Sequence, residues 1–271
     1  MSMEFEAAYE QHYDKLFTMA FRMTGNREDA EDALQTAFLQ AYSAWESFRG
    51  ESSVGTWLFR ILHNAALRHL SHRERMPMTE YAEDNGIEER SVFEQINSYG
   101  LSEDAALTAM VRESCLQMFM TCMPSRYRSV FTLRSILDFS VRETAEILEI
   151  SESSVKVYLH RARKVARHHM EEKCSLVKDG AMCSCRSFAS YVQAAGKTNR
   201  VVDMAAIVRQ ERETEKEYRE ELDTILNIEE LYRGPLQSEN KTQFMEHLKE
   251  MKREGRMKLL GAESAPVKSS R

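Results

Sequence analysis

The sequence predicts an all-α protein, and three observations support this. The chain of 271 residues contains only 10 Gly and 4 Pro, where average usage would give about 19 and 14. Charged residues make up 30% and hydrophobic residues 42%. Apolar residues also recur at three- and four-residue steps over several long stretches, which is the helical period. A β-sandwich or β-barrel, which needs many turn residues, is therefore not expected.

The composition of the chain also indicates its cellular compartment. No apolar run approaches the roughly 18 residues of a membrane span. The first residues, MSMEFEAAYEQ, are acidic and unlike a secretory signal. The five Cys are an odd number, which favours reduced thiols over a disulfide framework. These features predict a cytoplasmic protein without membrane insertion.

Charge and turn residues predict how the chain is divided. Residues 76–114 have a net charge of −7 and residues 115–173 a net charge of +3, so the overall −6 hides a basic surface. We expect partners of both signs, and an acidic linker that joins two small modules. The predicted divisions are a first module (1–75), the linker (76–113), a second module (114–173), a Cys-containing segment (174–198) and a helical extension (199–271).

The first two helices of the first module are predicted from their apolar stripes. The first stripe contains Phe5, Tyr9, Tyr13, Leu16, Phe17, Ala20 and Phe21. Gly25 ends that helix, and Asn26 is a good N-cap for the next one. The second stripe contains Ala30, Leu34, Ala37, Ala41 and Trp45, and the opposite face shows Asp32, Gln35 and Leu39. That face is either a protein-docking surface or an ordinary solvated one.

A third helix is predicted from about Thr56 to Arg73, after the Gly/Ser loop 48–56. Its apolar side contains Leu58, Ile61, Leu62 and Ala65, and its other side contains Trp57, Arg60, Asn64 and Arg68. An aromatic ring beside cationic groups is typical of single-strand nucleic-acid binding. The alternative interpretation is that Trp57 packs in the core.

The second module contains a predicted helix-turn-helix. Ser140 and Glu143 form a capping box at the start of one helix, and Ser151 can cap the next. That second helix has a buried stripe of Val155, Leu159, Ala162 and Ala166, and its opposite face contains Lys156, Val157, His160, Arg161, Lys164 and Arg167. One apolar and one basic face suit a recognition helix in the DNA major groove, whereas a solvated amphipathic helix is the simpler alternative. Glu149 stands at the turn position where such motifs often have Gly.

Taken together, the two modules resemble a bacterial RNA polymerase sigma factor of the extracytoplasmic-function (ECF) group. Residues 13–70 are similar to sigma region 2, and residues 123–167 to sigma region 4. The resemblance implies that the second helix docks on core RNA polymerase through Asp32, Gln35 and Leu39. It implies that Trp57, Arg60, Asn64 and Arg68 hold the melted −10 element, and that the basic face of the recognition helix reads the double-stranded −35 element. The acidic linker would then lie toward the RNA path.

The rest of the chain lies beyond that resemblance. His169, Cys174, Cys183 and Cys185 can supply one imidazole and three thiolates, a set that suits tetrahedral zinc, although three reduced thiols in a loop are the alternative. No cofactor is otherwise required. Helical patterns at 199–232 and 241–260 predict a helical extension. Regulation is expected either from a separate anti-sigma factor or from this extension, packed on the modules in its place.

The sequence also has two alternative interpretations. The chain could be a helix-turn-helix regulator whose N-terminal helices dimerise or sense a ligand, and co-purification with core polymerase would discriminate between the two. An enzyme is not expected, because HExxH, GxxxxGK and GxSxG are all absent from the sequence.

Overall fold

The computed structural model describes residues 3–70, 76–196 and 245–246. The prediction of an all-α fold is confirmed over these residues, which contain one isolated β-bridge, between Cys174 and Cys183, and no strand. The helices are α1 (Met3–Thr24), α2 (Arg27–Ala44), α3 (Val54–Ala66), α4 (Pro77–Asp84), α5 (Glu89–Asn97), α6 (Ala105–Cys122), α7 (Ser125–Phe131), α8 (Val141–Leu148), α9 (Glu152–Lys173) and α10 (Cys185–Ala194). Among the described helices, none is both long and apolar enough to cross a membrane.

The first module packs α1, α2 and α3 against one another, and both predicted apolar stripes face its core. Gly25 adopts a positive φ of 93° in the turn between α1 and α2, a conformation that glycine reaches without strain. Asn26 then accepts a hydrogen bond from the Asp29 amide, as its N-cap position predicts. The third helix differs from the prediction, because α3 ends at Ala66 and continues only as a 3₁₀ turn, Leu67–His69. The chain turns there, where Leu70 packs on the core and His69 lies near Asp29.

The linker is folded rather than extended. It contains α4, α5 and the first part of α6, and α5 and α6 pack against α10. Polar contacts add to this packing: Ser102 and Arg186 exchange two hydrogen bonds, and the Asn97 amide donates to the Met182 carbonyl at 3.0 Å. The Cys-containing segment therefore covers the linker and holds its short helices in place.

The second module contains α6 to α9, with a π-helical stretch, Thr132–Ile136, after α7. Both bonds of the predicted capping box at Ser140 are present, and Ser151 caps α9. Glu149 takes the left-handed conformation, with φ 55° and ψ 43°, in the turn between α8 and α9. The turn is therefore made by a non-glycine residue at the position where Gly is common. Helix α9 continues to Lys173, beyond residue 167, where the resemblance to sigma region 4 ends.

The two modules share one core. Leu133, Leu137 and Ile147 of the second module are buried in the same apolar cluster as α1, α2 and α3. Met245 is 6% exposed and belongs to that cluster, whereas Glu246 beside it is exposed. The predicted helical segment 199–232, and all of 241–260 except these two residues, lie outside the described residues.

Candidate nucleic-acid and polymerase interfaces

The basic face of α9 is the first candidate interface. Val155, Leu159, Ala162 and Ala166 are buried, as the sequence predicts. The opposite side is exposed and contains all six predicted −35 residues, Lys156, Val157, His160, Arg161, Lys164 and Arg167. Val157 is 46% exposed, which leaves an apolar group free for a thymine methyl.

Two of these cations have weak contacts within the protein. Arg161 lies 3.4 Å from the Tyr127 hydroxyl, and Arg167 lies 3.9 Å from Glu171, one turn along α9. Exposed pairs at such distances contribute little to stability. These two guanidinium groups are therefore able to exchange their protein partners for phosphates or base edges.

An aromatic cluster forms the second candidate interface. The Trp57 ring lies 5.0 Å from the Phe48 ring and 6.0 Å from the Trp45 ring, centroid to centroid. All three side chains are half-buried, at the end of α2 and the start of α3. Trp57 packs partly on the first-module core, so the core interpretation holds for part of its side chain and the rest is accessible to a partner.

The other predicted −10 residues divide into two pairs. Asn64 and Arg68 are exposed. Trp57 and Arg60 are half-buried, and the Arg60 Nε–H donates to the Glu146 carbonyl of α8 at 3.0 Å. Part of the surface proposed for the −10 element is thus in contact with the helix-turn-helix.

We call the contact surface between α1 and α3 on one side and α6, α7 and α8 on the other the module interface. The Phe59 and Phe139 rings meet edge to face, 4.7 Å apart. His63 of α3 lies 3.1 Å from the Ser129 hydroxyl of α7, and burial lowers the pKa of His63 to about 4. The imidazole is therefore neutral at pH 7 in this conformation.

A buried ion pair joins the two modules. Arg22 of α1 is 1% exposed and donates to Glu113 at 2.5 Å and to Gln117 at 2.9 Å, both on α6. The Gln117 amide in turn donates to the Phe21 carbonyl at 3.0 Å. A buried charge pair of this kind is costly to break from one side, because the remaining charge is left without its partner.

Arg128 makes a second polar link between the modules. Its guanidinium is fully buried and donates to the Met23 carbonyl near the end of α1, at 2.5 Å. It also donates to the Thr121 and Met123 carbonyls, at 2.7 and 3.1 Å, where α6 ends. One cation thereby satisfies carbonyls at two helix C-termini, where the helix dipole favours positive charge.

The predicted polymerase-docking residues lie on the outer side of α2. Asp32 is exposed, while Gln35 and Leu39 are half-buried. Leu39 packs partly against the first-module core, so the structure leaves only part of its side chain for a partner.

The four predicted metal ligands border one cavity, beside the linker. Among the described residues, however, no group of three or more His, Cys, Asp or Glu is arranged to hold a metal ion. His169 stacks on Phe119 at 4.7 Å, and burial raises the pKa of the Cys174 and Cys183 thiols. Zinc binds cysteine in its thiolate form, and a raised thiol pKa disfavours that form. Zinc binding stays a prediction, which elemental analysis of the purified protein can test.

Sequence reasoning missed the module interface. Arg22, Glu113 and Arg128 occupy ordinary amphipathic positions, and nothing local distinguishes them from surface charges. The two arginines have one local sign, proximity to a helix end, since Arg22 lies in the last turn of α1 and Arg128 in the last turn of α7.

Comparisons with known proteins identify both modules. The model of Sigma-70 region 2 matches residues 8–76, and that of Sigma-70 region 4 matches residues 113–165. The ECF RNA polymerase sigma factor SigW of Bacillus subtilis is 32% identical over 162 residues, which cover 59% of this chain and 84% of the relative. The RNA polymerase sigma factor YlaC of the same species is 31% identical, over 61% of this chain and 91% of the relative. SigG of Mycobacterium tuberculosis is 33% identical, over 59% of this chain and 47% of the relative. Since both regions occur in order and the Bacillus relatives are covered over most of their length, this chain belongs to the ECF group of RNA polymerase sigma factors.

Proposed function

We propose that the chain binds core RNA polymerase, directs it to promoters and promotes DNA melting at the start of transcription. The observation that carries this proposal is α9, in which one face is buried in the second module and the other presents six exposed residues, four of them Lys or Arg. The polymerase supplies the bond chemistry, and this chain supplies recognition. It acts as a DNA-binding initiation factor and not as an enzyme.

The division of labour follows from the two candidate interfaces. The basic face of α9 reads the −35 element, and the Trp57 cluster with Asn64 and Arg68 holds the melted −10 strand. Stacking of a base on an aromatic side chain contributes roughly 1–3 kcal/mol, which offsets the few kcal/mol needed to unstack that base. If α9 neutralises about four phosphates, promoter affinity falls on the order of 100-fold between 50 and 200 mM salt.

The structure has a conformation that cannot engage both promoter elements together. Positions −35 and −10 are about 85 Å apart along straight B-DNA, at about 3.4 Å per base pair. Here α3 packs on α8 and α8 packs on α9. Helix axes in contact lie about 8–10 Å apart, so α3 and α9 are separated by only about 20 Å. We therefore interpret this conformation as a closed, resting form.

The linker contains enough residues for the modules to separate. Residues 71–104 span up to about 110 Å when fully extended, but docking of α4 and α5 keeps about half of these residues in helices. Promoter binding thus requires the linker to undock and the module interface to open. Its nine acidic side chains between 76 and 114 then suit a path beside the polymerase that nucleic acid also uses.

Run-off transcription with core polymerase across a promoter library tests the proposal. We expect specific transcripts from the wild-type chain, and their loss in the double variant Lys156→Ala, Arg161→Ala, which still binds core polymerase. The matched control is Lys15→Ala with Arg90→Ala, which removes two exposed cations away from α9. Promoter affinity that is unchanged in the α9 variant, measured by gel shift with holoenzyme, would contradict the assignment of that face. DNA binding without any transcription or polymerase binding would favour a helix-turn-helix regulator instead.

A further inference from the structure

A cavity of about 320 Å³ lies where the linker, the end of α9 and the Cys-containing segment meet. Its walls come from α4, α5, α6, α9 and α10, and none of the residues proposed to contact promoter DNA borders it. Small-molecule sites in proteins commonly measure about 300–1,000 Å³ and are mostly apolar. The cavity thus has the size of a binding site for a small organic molecule.

Its lining is apolar and rich in sulfur. Four Met and four Cys border it, together with the aromatic rings of Phe93, Phe188 and Tyr191. Thioether sulfur makes favourable contacts with aromatic rings and adapts to irregular shapes. Most of the residues that border it carry no charge at neutral pH. Such a lining favours a neutral aromatic occupant over a charged one.

One polar group on the wall lacks a partner. Ser114 of α6 borders the cavity and is 6% exposed, and its hydroxyl oxygen has no hydrogen-bond partner in the structure. Leaving a buried hydroxyl without a hydrogen bond is unfavourable. Three charged residues also border the cavity: Glu89 and Lys173 pair with each other at 2.7 Å, and Arg112 is engaged in an interaction of its own. Ser114 is therefore the group best placed to orient a ligand.

We propose that this cavity binds a small neutral aromatic molecule carrying one hydrogen-bonding group, and that its occupancy keeps the linker docked. The binding site stands on the cavity alone, whereas the effect on the linker rests on the proposed function. Helices α4 and α5 form part of the wall, and a filled cavity gains contacts with them that an extended linker cannot make. The ligand would therefore favour the closed form, in proportion to its preference for that form.

Helix α6 connects the cavity with the module interface. Ser114 borders the cavity, whereas its neighbour Glu113 pairs with Arg22 of the first module. Gln117, one turn further, bonds to both Arg22 and the Phe21 carbonyl. A ligand that fixes α6 on the cavity side thus stabilises the same helix that holds the first module.

Binding can be tested on the full chain with N-phenyl-1-naphthylamine, a neutral aromatic amine with one N–H that becomes fluorescent in apolar surroundings. We expect saturable binding at one site per chain. Ser114→Ala removes the hydrogen bond and should weaken the affinity about three- to tenfold. Met118→Trp fills the cavity from α6 and should weaken it at least tenfold. The control Ile87→Trp adds the same ring at an exposed position that does not border the cavity and should bind like wild type.

The outcomes separate the two parts of the proposal. The binding site is refuted if the probe shows no saturable binding, or if wild type, Ser114→Ala and Met118→Trp bind it with equal affinity. Ser114→Ala changes little side-chain volume, so this variant tests the site even if Met118→Trp misfolds. Amide hydrogen exchange then tests the linker, with slower exchange in α4 and α5 expected when the probe binds. Unchanged exchange overturns the linker effect alone. Failure of the proposed function would appear separately, as absent transcription without any probe.

Discussion

The module interface gives the sharpest prediction, through the substitution Glu113→Ala. In the closed form Arg22 is 1% exposed, and the substitution removes the carboxylate that lies 2.5 Å from it. In an open form Arg22 is hydrated and does not need this partner. The substitution therefore destabilises the closed form selectively, rather than the fold of either module.

The free-energy cost of Glu113→Ala depends on the hydrogen bonds that Arg22 keeps in the variant. Removing one partner of a buried ion pair typically costs about 3–5 kcal/mol. Gln117 still accepts a hydrogen bond from the same guanidinium, so we expect the lower end, about 3 kcal/mol. At about 1.4 kcal/mol per tenfold change, the ratio of open to closed form rises by about 150-fold.

Small-angle X-ray scattering and amide hydrogen exchange measure this change. Glu113→Ala should increase the radius of gyration and speed exchange in α3 and α8, which face each other across the interface. The matched control Glu171→Ala removes the carboxylate of an exposed pair on α9 and should leave both readings unchanged. The double variant Arg22→Met, Glu113→Leu replaces the ion pair by apolar side chains and should restore the compact form, since such replacements are often neutral or stabilising. A compact, fully protected Glu113→Ala protein would refute the reasoning.

Three further predictions concern single residues. His63 has a pKa of about 4 in the closed form and 6.5 when exposed, so the closed form is most stable above pH 6.5 and loses up to about 2 kcal/mol of stability by pH 5. Small-angle scattering should show a larger radius of gyration at pH 5 than at pH 7 in wild type and no such difference in His63→Asn. Ser140→Ala breaks the capping box and should lower the free energy of unfolding by about 1 kcal/mol, in a urea titration where the exposed Ser43→Ala serves as control. Trp57→Ala should slow open-complex formation and reduce permanganate reactivity of the −10 thymines, whereas Trp57→Phe keeps a stacking ring and should retain most of both. Normal reactivity in Trp57→Ala would count against a melting role.

Features set by neighbours along the chain were predictable from the sequence. Both caps of the helix-turn-helix depend on contacts within three residues, and the buried and exposed faces of α9 follow from its 3.6-residue period. The family resemblance added the order of the modules and the roles of α2, α3 and α9. For these parts of the site, the local sequence pattern is enough to determine which side chains are buried and which are exposed.

Features that depend on distant pairs were not predictable. The Arg22–Glu113 ion pair joins residues 91 positions apart, and the helical repeat of apolar residues does not predict such a contact. The linker sequence shows little sustained period, yet α4 and α5 form because Phe93 and Ile96 pack against Phe188 and Tyr191 of the Cys-containing segment. Helix α3 ends earlier than its apolar pattern because tertiary contacts of Leu70 and His69 determine where the chain turns.

The polar character of the module interface is consistent with an interface that must open. Arg22, Glu113 and His63 are hydrated once the modules separate, so opening restores their solvation while it breaks their contacts. Buried ion pairs contribute little net stability relative to water for this reason, yet they demand one geometry. The apolar part, with Phe59 against Phe139 at its centre, supplies the net attraction. An interface built from apolar side chains alone would close more tightly and, when open, would expose a larger apolar patch that favours aggregation. The observed mixture therefore favours a closed form that is specific in geometry and weak enough for polymerase and promoter DNA to open.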